Sequence, residues 1–219
     1  MRIGRTLLFS LLLMMAVGCG RTSGLTTTVA QVGMSDLLVG DLLFVAVGEE
    51  NAITAVTEGY AQQAIDHVGI VAAVAKGKTP VVTVVEAVPG RGVVRTTLSS
   101  FAPRDRIFVG RLRQPFSNAY LLARLRQFEG LPYDSLYLPD DTAIYCSELV
   151  QKCLADNRGR QILPTVPMTF RDAEGHIPDV FVSRYQAAGM EVPEGLPGTN
   201  PGQLSRDSAV CILGLLNRK

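Results

Sequence analysis

Two apolar runs joined by a short turn constrain the fold more than any other feature of this sequence. Residues 68–74 read VGIVAAV and residues 81–88 read VVTVVEAV, and both are rich in β-branched side chains. The link at 76–80, KGKTP, contains the Gly and Pro residues that are typical of turns. Two such runs with so short a connection predict an antiparallel β-hairpin.

Further strand-like segments flank this hairpin, and helical patterns follow them. The strand-like segments are residues 42–47, 92–97 and 107–112. The helical segments are residues 118–129, capped by Asn118, a second helix from about 145 to 157–159, and a third near 180–188. The tail from residue 162 holds six of the 12 prolines and otherwise predicts irregular cover. Consecutive strands followed by helices predict an α+β fold, with an antiparallel sheet or small barrel packed against helices.

The first part of the chain is typical of an export signal. Arg2 and Arg5 precede an apolar run at 7–17, which is too short to span a bilayer stably. The segment Ala16-Val17-Gly18-Cys19 then resembles a bacterial lipobox, in which cleavage precedes the Cys and its thiol is lipidated. The alternative is an ordinary signal peptide that is cut nearby, with Cys19 incidental.

These features predict the organisation and location of the protein. We expect residues 1–18 to be a signal peptide, residues 19–35 a Thr-, Gly- and Ser-rich tether, and residues 36–219 one domain. The protein is then an exported lipoprotein of the bacterial cell envelope, anchored to the membrane through Cys19. Since Cys19 is consumed by lipidation, three of the four cysteines remain, and at least one thiol stays unpaired.

Composition excludes several classes of function. The 21 basic and 20 acidic side chains give a net charge of +1 without any basic block, so a nucleic-acid partner has no electrostatic support. No CxxC, HExxH, GxGxxG or GxxxxGK[ST] motif occurs, so neither a zinc site of the usual spacing nor a nucleotide site is predicted. We expect no metal and no organic cofactor.

Cys146 is the first candidate for a chemical role. Together with Leu149, Val150 and Cys153 it occupies one face of a predicted helix, so its side chain faces inward from the first turn. A helix N-terminus carries unpaired N–H groups and a positive dipole end, which stabilise a thiolate. The alternative is a small buried hydrophobic side chain, and that interpretation suits Cys153 better because it lies away from the helix start.

A thiol nucleophile requires a base, and the sequence contains only two histidines. His67 begins an apolar strand and is therefore held on a rigid element. His176 lies in a turn-like stretch before Ile177-Pro178, which positions a side chain poorly. His67 is the better candidate, although either imidazole can be merely structural.

Glu86 interrupts an otherwise nearly apolar strand. A buried carboxylate without a partner is costly, so this side chain is paired, exposed at the sheet edge, or functional. In the predicted hairpin the turn places Glu86 opposite Gly69, from which a diagonal contact with His67 can orient the imidazole. A register slip by one residue reverses the face, and a solvated Glu at the strand end is then the alternative.

Several motifs in fixed order resemble one family. They are residues 40–44 (GDLLF), 67–71 (HVGIV), 85–87 (VEA), 132–134 (PYD), 145–150 (YCSELV), 167–170 (PMTF) and 198–201 (GTNP). Together they resemble the YiiX/YaeF-like family of circularly permuted papain-like cysteine amidases, a branch of the NlpC-type superfamily. The resemblance extends over about residues 36–208.

The resemblance implies a permuted papain-like fold and a role for each candidate. Cys146 is the nucleophile, His67 the base and Glu86 the group that orients the base. The backbone N–H of Cys146 contributes to the oxyanion hole, and Tyr145 and Tyr133 are substrate-binding or oxyanion candidates. His and Glu precede Cys in the chain, as in the permuted branch, and the spatial triad does not depend on chain order.

The sequence thus predicts a cysteine hydrolase that cleaves an amide bond through an acyl-enzyme. The expected substrate is a cell-wall peptide or a related envelope compound. One alternative is a thioesterase or acyltransferase that uses the same triad on a lipid-like substrate. Another is a non-catalytic binding module of the envelope.

Overall fold

The computed structural model describes residues 29–77, 80–101, 103–104 and 106–217. The predicted signal peptide, Cys19 and most of the predicted tether lie outside these residues. Within them, no helix is both long enough and apolar enough to cross a membrane.

Seven strands form one mixed sheet, and a small two-stranded ribbon lies beside it. The strands of the sheet are β1 (Gln31–Gly33), β2 (Leu42–Ala46), β3 (Ile65–Ala75), β4 (Val81–Val88), β5 (Gly92–Thr97), β6 (Arg106–Leu112) and β9 (Val210–Asn217). Their order is β1-β9-β6-β2-β3-β4-β5, and every pair is antiparallel except β1–β9. β7 (Val166–Pro167) and β8 (Pro197–Gly198) form the ribbon. In the described part of the chain the sheet is open, so the small barrel that was the other option is not formed.

The predicted hairpin is confirmed as β3 and β4. Ile70 pairs with Val85 and Val71 with Val84, which is the register expected from the short turn. Continued toward the start of β3, this register places Glu86 beside Gly69. Gly69 has no room for a side chain, because a Cβ there would lie 2.8 Å from the Phe101 ring and from Val84.

Six α-helices accompany the sheet in the described part of the chain. They are α1 (Ala52–Ala55), α2 (Leu98–Phe101), α3 (Asn118–Phe128), α4 (Cys146–Cys153), α5 (Asp179–Ala187) and α6 (Pro201–Arg206). The predicted cap of α3 is wrong by one residue, because the Ser117 hydroxyl accepts from the Tyr120 N–H and Asn118 is already helical. α4 ends earlier than predicted, because Leu154 is extended and Ala155 pairs with Gln161.

The C-terminal tail differs most from the prediction. It was expected to be irregular cover with one helix, but β9 lies within the sheet between β1 and β6. β1 lies inside the segment predicted as a tether, and it pairs with β9 in parallel. Gly214 permits the close approach, since a Cβ there would lie 2.1 Å from the Ala30 carbonyl oxygen.

Both faces of the sheet are buried. Side chains alternate along β2, so that Leu42 and Phe44 join one apolar cluster while Leu43 and Val45 join the other. The larger cluster includes α3, α4 and α6, and α4 packs directly against β3 and β4. The sheet therefore holds the start of α4 beside the start of β3, which carries His67, and the end of β4, which carries Glu86.

Candidate active site

Cys146 is the first residue of α4. Tyr145 before it is extended, with φ −99° and ψ 168°, so the helix begins at the thiol. Cys146 is 5% exposed, and its thiol forms no disulfide. Its inward orientation from the first helical turn, which the sequence predicted, is confirmed. The unpaired N–H groups of that turn are available to a negatively charged oxygen or sulfur.

His67 lies near the start of β3 and contacts both other candidates. Its Nε2 lies 2.8 Å from Oε2 of Glu86, and its ring also interacts with the Cys146 thiol. Burial alone would lower the pKa of His67. Hydrogen bonds with the Cys146 and Glu86 side chains, and the charges of those groups, outweigh burial and raise the pKa to about 9.

Glu86 lies on β4 with 1% of its surface exposed, so the alternative of a solvated strand-end residue is wrong. Besides accepting from His67, its Oε2 accepts a hydrogen bond from Nη2 of Arg104 at 2.7 Å. The Arg104 guanidinium lies 4.3 Å from the centre of the Phe101 ring and donates to the Phe101 carbonyl. The buried carboxylate thus has two cationic partners.

Sequence reasoning missed Arg104 altogether. It follows α2 in the short connection to β6, and no motif or periodicity distinguishes it from other surface arginines. Its partner Glu86 was recognisable as a buried carboxylate that needed compensation, and that requirement was the only available signal.

Tyr133 lies beside the thiol. It forms an isolated bridge with Ile144, which brings it next to the start of α4. Burial, followed by the nearby Cys146 charge and interactions with Tyr137, raises the pKa of Tyr133. Its hydroxyl therefore stays protonated and can donate a hydrogen bond.

Tyr145 is held differently. Its hydroxyl accepts from the Thr199 N–H at 3.1 Å and lies 3.8 Å from the Met168 sulfur. Only 3% of the residue is exposed, and burial raises the pKa of its hydroxyl. The Tyr145 side chain therefore supports Met168 and Thr199, which line the site beside Cys146.

Two adjoining cavities meet at these residues. The outer one has a volume of about 520 Å³ and is lined by His67, Arg104 and Arg184 among others. The inner one is a slot of about 40 Å³ that reaches Cys146. The residues lining both are Ile53, Asp66, Tyr133, Tyr137 and Phe181. A substrate that spans the junction thus meets the thiol on one side and the imidazole on the other.

The remaining thiols and the second histidine are outside this arrangement. Burial raises the pKa of Cys153 to about 12, as expected for an inert core thiol. His176 is exposed beside Asp172 and lines neither cavity. Among the described residues, no group of three or more His, Cys, Asp or Glu side chains is arranged to hold a metal ion.

A comparison with protein families identifies the chain. The model of the family described as "permuted papain-like amidase enzyme, YaeF/YiiX, C92 family" matches residues 36–213. The chain belongs to this family. The resemblance seen in the motifs is therefore confirmed, and the protein is an enzyme of the papain-like cysteine amidase class.

A solved structure supports the fold of this C92 family member. The crystal structure of the metalloprotein yiiX from Escherichia coli O157:H7 matches with a TM-score of 0.60 and 19% identity. The match covers 83% of this chain and 97% of that chain. A search of curated proteins found no match. The papain-like α+β fold is confirmed.

Proposed function

We propose that this family member hydrolyses an amide bond with Cys146 as nucleophile, His67 as general base and acid, and Glu86 as the group that orients His67. The observation that carries the proposal is the buried His67–Glu86 contact of 2.8 Å beside a thiol at a helix N-terminus. Nucleophilic catalysis requires a nucleophile in contact with a base, and a third group that orients the base. Cys146, His67 and Glu86 make these two contacts.

The electrostatics of the site support a thiolate–imidazolium pair. The raised pKa of His67 keeps its ring protonated at neutral pH, and an imidazolium stabilises a neighbouring thiolate. Because Nε2 contacts Glu86, Nδ1 is the ring nitrogen left for Cys146. Glu86 therefore orients the ring and, together with Cys146, favours its charged form.

The reaction then follows the acyl-enzyme course. The Cys146 thiolate attacks the amide carbonyl, and the charge that develops on oxygen is stabilised by the backbone N–H of Cys146 and the Tyr133 hydroxyl. His67 gives its proton to the leaving amine, and the C–N bond breaks. His67 next takes a proton from water, whose oxygen attacks the thioester; the C–S bond breaks, the acid leaves, and the Cys146 thiolate and the His67 imidazolium are restored.

The proposed setting is the bacterial cell envelope. The short apolar segment followed by Cys19 favours export and lipid anchoring, so that the domain works at a membrane surface. A cell-wall peptide is the amide substrate that such a location offers. We propose it as the substrate class.

A second candidate function has its own observation. Apolar side chains line the inner slot next to Cys146, namely Ile53, Val56, Met168, Phe170 and Phe181. Such a lining suits an acyl chain, and the same triad then acts as a thioesterase or acyltransferase on a lipid-like substrate.

One experiment tests the proposal and separates the two functions. The purified protein is incubated with cell-wall peptides and, separately, with acyl amides and acyl esters, and intact-protein mass spectrometry records the mass added to Cys146. We expect a peptide acyl-enzyme that Cys146→Ser lacks and Cys153→Ser retains. An adduct only from long-chain acyl compounds favours the second candidate, and hydrolysis undiminished in Cys146→Ser contradicts both.

A further inference from the structure

Asp66 occupies a β-bulge immediately before His67. Val45 on β2 pairs with His67 and the next residue, Ala46, pairs with Ile65, so Asp66 is an additional residue without a partner on β2. In a regular strand, adjacent side chains point to opposite faces. A bulge changes the direction of a side chain, and here Asp66 and His67 both line the outer cavity.

The Asp66 carboxylate is held in place from one side. Nδ2 of Asn51 donates to Oδ2 of Asp66 at 2.7 Å. The other end of the Asn51 amide caps α1, because its Oδ1 accepts from the N–H groups of Ile53 and Thr54. Both ends of the amide are thus engaged, and no described residue donates a hydrogen bond to Oδ1 of Asp66.

The charge of Asp66 is not balanced within the described residues. No Lys, Arg or His nitrogen lies within 4.0 Å of its carboxylate there, and its one hydrogen-bond partner is the Asn51 amide. The neighbouring His67 and Arg104 both bind Glu86. Arg184, which also lines the outer cavity, donates to the Ser135 carbonyl and the Tyr137 hydroxyl, and its guanidinium lies beside the Tyr137 and Phe181 rings.

We propose that Asp66 binds a positively charged group of the substrate, an ammonium on the acyl portion, and this inference rests on the proposed amide hydrolysis. Asp66 lines both cavities and so faces the junction where the scissile carbonyl lies. Asp66 and His67 are adjacent in the chain and line the same cavity, so they contact neighbouring parts of one substrate. A charged hydrogen bond at this position selects acyl groups with a free amine.

The test compares matched substrates. Alanyl and alanyl-alanyl 4-nitroanilides are each offered with a free amine and with an acetylated amine, and kcat/KM is measured for all four. For the free-amine substrate with the higher kcat/KM, we expect the wild-type kcat/KM to exceed that of its acetylated counterpart by about tenfold or more, which is the contribution of a charged hydrogen bond. In Asp66→Asn this ratio is expected to approach one.

Two further variants complete the test. Glu191→Gln removes an exposed carboxylate outside both cavities, and it should keep the wild-type ratio. Asn51→Ser preserves a capping hydroxyl for α1 but removes the amide donor, so we expect an intermediate ratio. A wild-type ratio of one, or a preference that survives in Asp66→Asn, overturns the inference.

A binding measurement separates this inference from the proposed function. Calorimetry on Cys146→Ala compares alanyl-alaninamide with its N-acetyl form. Tighter binding of the free amine that depends on Asp66, without turnover by the wild-type protein, supports the ammonium site and contradicts amide hydrolysis. Turnover without any preference for the free amine supports amide hydrolysis and contradicts the ammonium site.

Discussion

The substitution Glu86→Gln is the sharpest test of the catalytic arrangement. It keeps the size and an oxygen acceptor but removes the charge that both His67 and Arg104 contact. Both donors contact the one oxygen Oε2, and the amide oxygen of Gln can still accept from both, but it carries no full negative charge, so both charged hydrogen bonds become weaker. We therefore expect the ring of His67 to lose charge stabilisation, and part of its orientation, while the protein remains folded.

The magnitude follows from the contacts of His67. Its contacts raise the pKa from 6.5 to about 9 despite burial, which corresponds to about 3 kcal/mol in favour of the imidazolium. If Glu86 supplies about half of this free energy, its loss reduces the equilibrium constant for forming the Cys146 thiolate–His67 imidazolium pair by about tenfold. Lost orientation adds to this, so we expect kcat/KM to fall by about ten- to a thousandfold.

The assay measures kcat/KM, the melting temperature and the rate of Cys146 alkylation against pH on the same variant. Glu129→Gln is the matched control, because Glu129 also pairs with an arginine, Arg95, at 3.1 Å, but at the exposed surface. We expect the control to keep its activity, since exposed ion pairs contribute about 0–1 kcal/mol.

Three results distinguish the roles of Glu86. Loss of activity at an unchanged melting temperature, with an altered alkylation profile, supports the orienting role. A fall in melting temperature with an unchanged alkylation profile in the folded protein indicates a purely structural ion pair with Arg104. Activity within about twofold of wild type refutes the reasoning and leaves a Cys146–His67 dyad.

Three further predictions concern the thiol, the pH dependence and the anchor. Iodoacetamide at pH 7 should modify Cys146 faster than Cys153, whose pKa burial raises to about 12, and peptide mapping of the reverse order would reassign the nucleophile. Because the folded pKa of His67 lies above its usual 6.5, its stabilising contribution is complete below about pH 6.5 and disappears as pH rises through about 9. Activity should therefore decline near pH 9, and denaturant unfolding of wild type and His67→Gln should differ most at low pH; a pH-independent difference would contradict this. Expressed in a bacterium that processes lipoproteins, the protein should partition into detergent with lipid on Cys19, whereas a fully soluble form that begins elsewhere would contradict the anchor.

Local sequence determined the hairpin and the contacts that follow from it. The short turn between β3 and β4 leaves few registers, because turn type and loop length fix the pairing of a hairpin. Glu86 was therefore expected near His67, and the structure places the two side chains in contact. The inward orientation of Cys146 at the beginning of α4 was equally local, because the spacing of apolar residues defines the face of a helix that points inward.

Only the tertiary structure decided the features that depend on distant segments. β9 pairs with β6 and β1, which are far away in the chain, and a short apolar tail among prolines does not indicate its partner. Arg104 reaches Glu86 from a connection whose path depends on how α2 packs against β4 and β5. The bulge at Asp66 arises from the pairing of β3 with β2, and a strand sequence alone does not show where its ladder gains a residue. The sequence by itself thus determined the hairpin register and the start of the nucleophile helix, because these depend on neighbouring residues. Tertiary packing determined which charges surround them, because those contacts join segments that no local pattern connects.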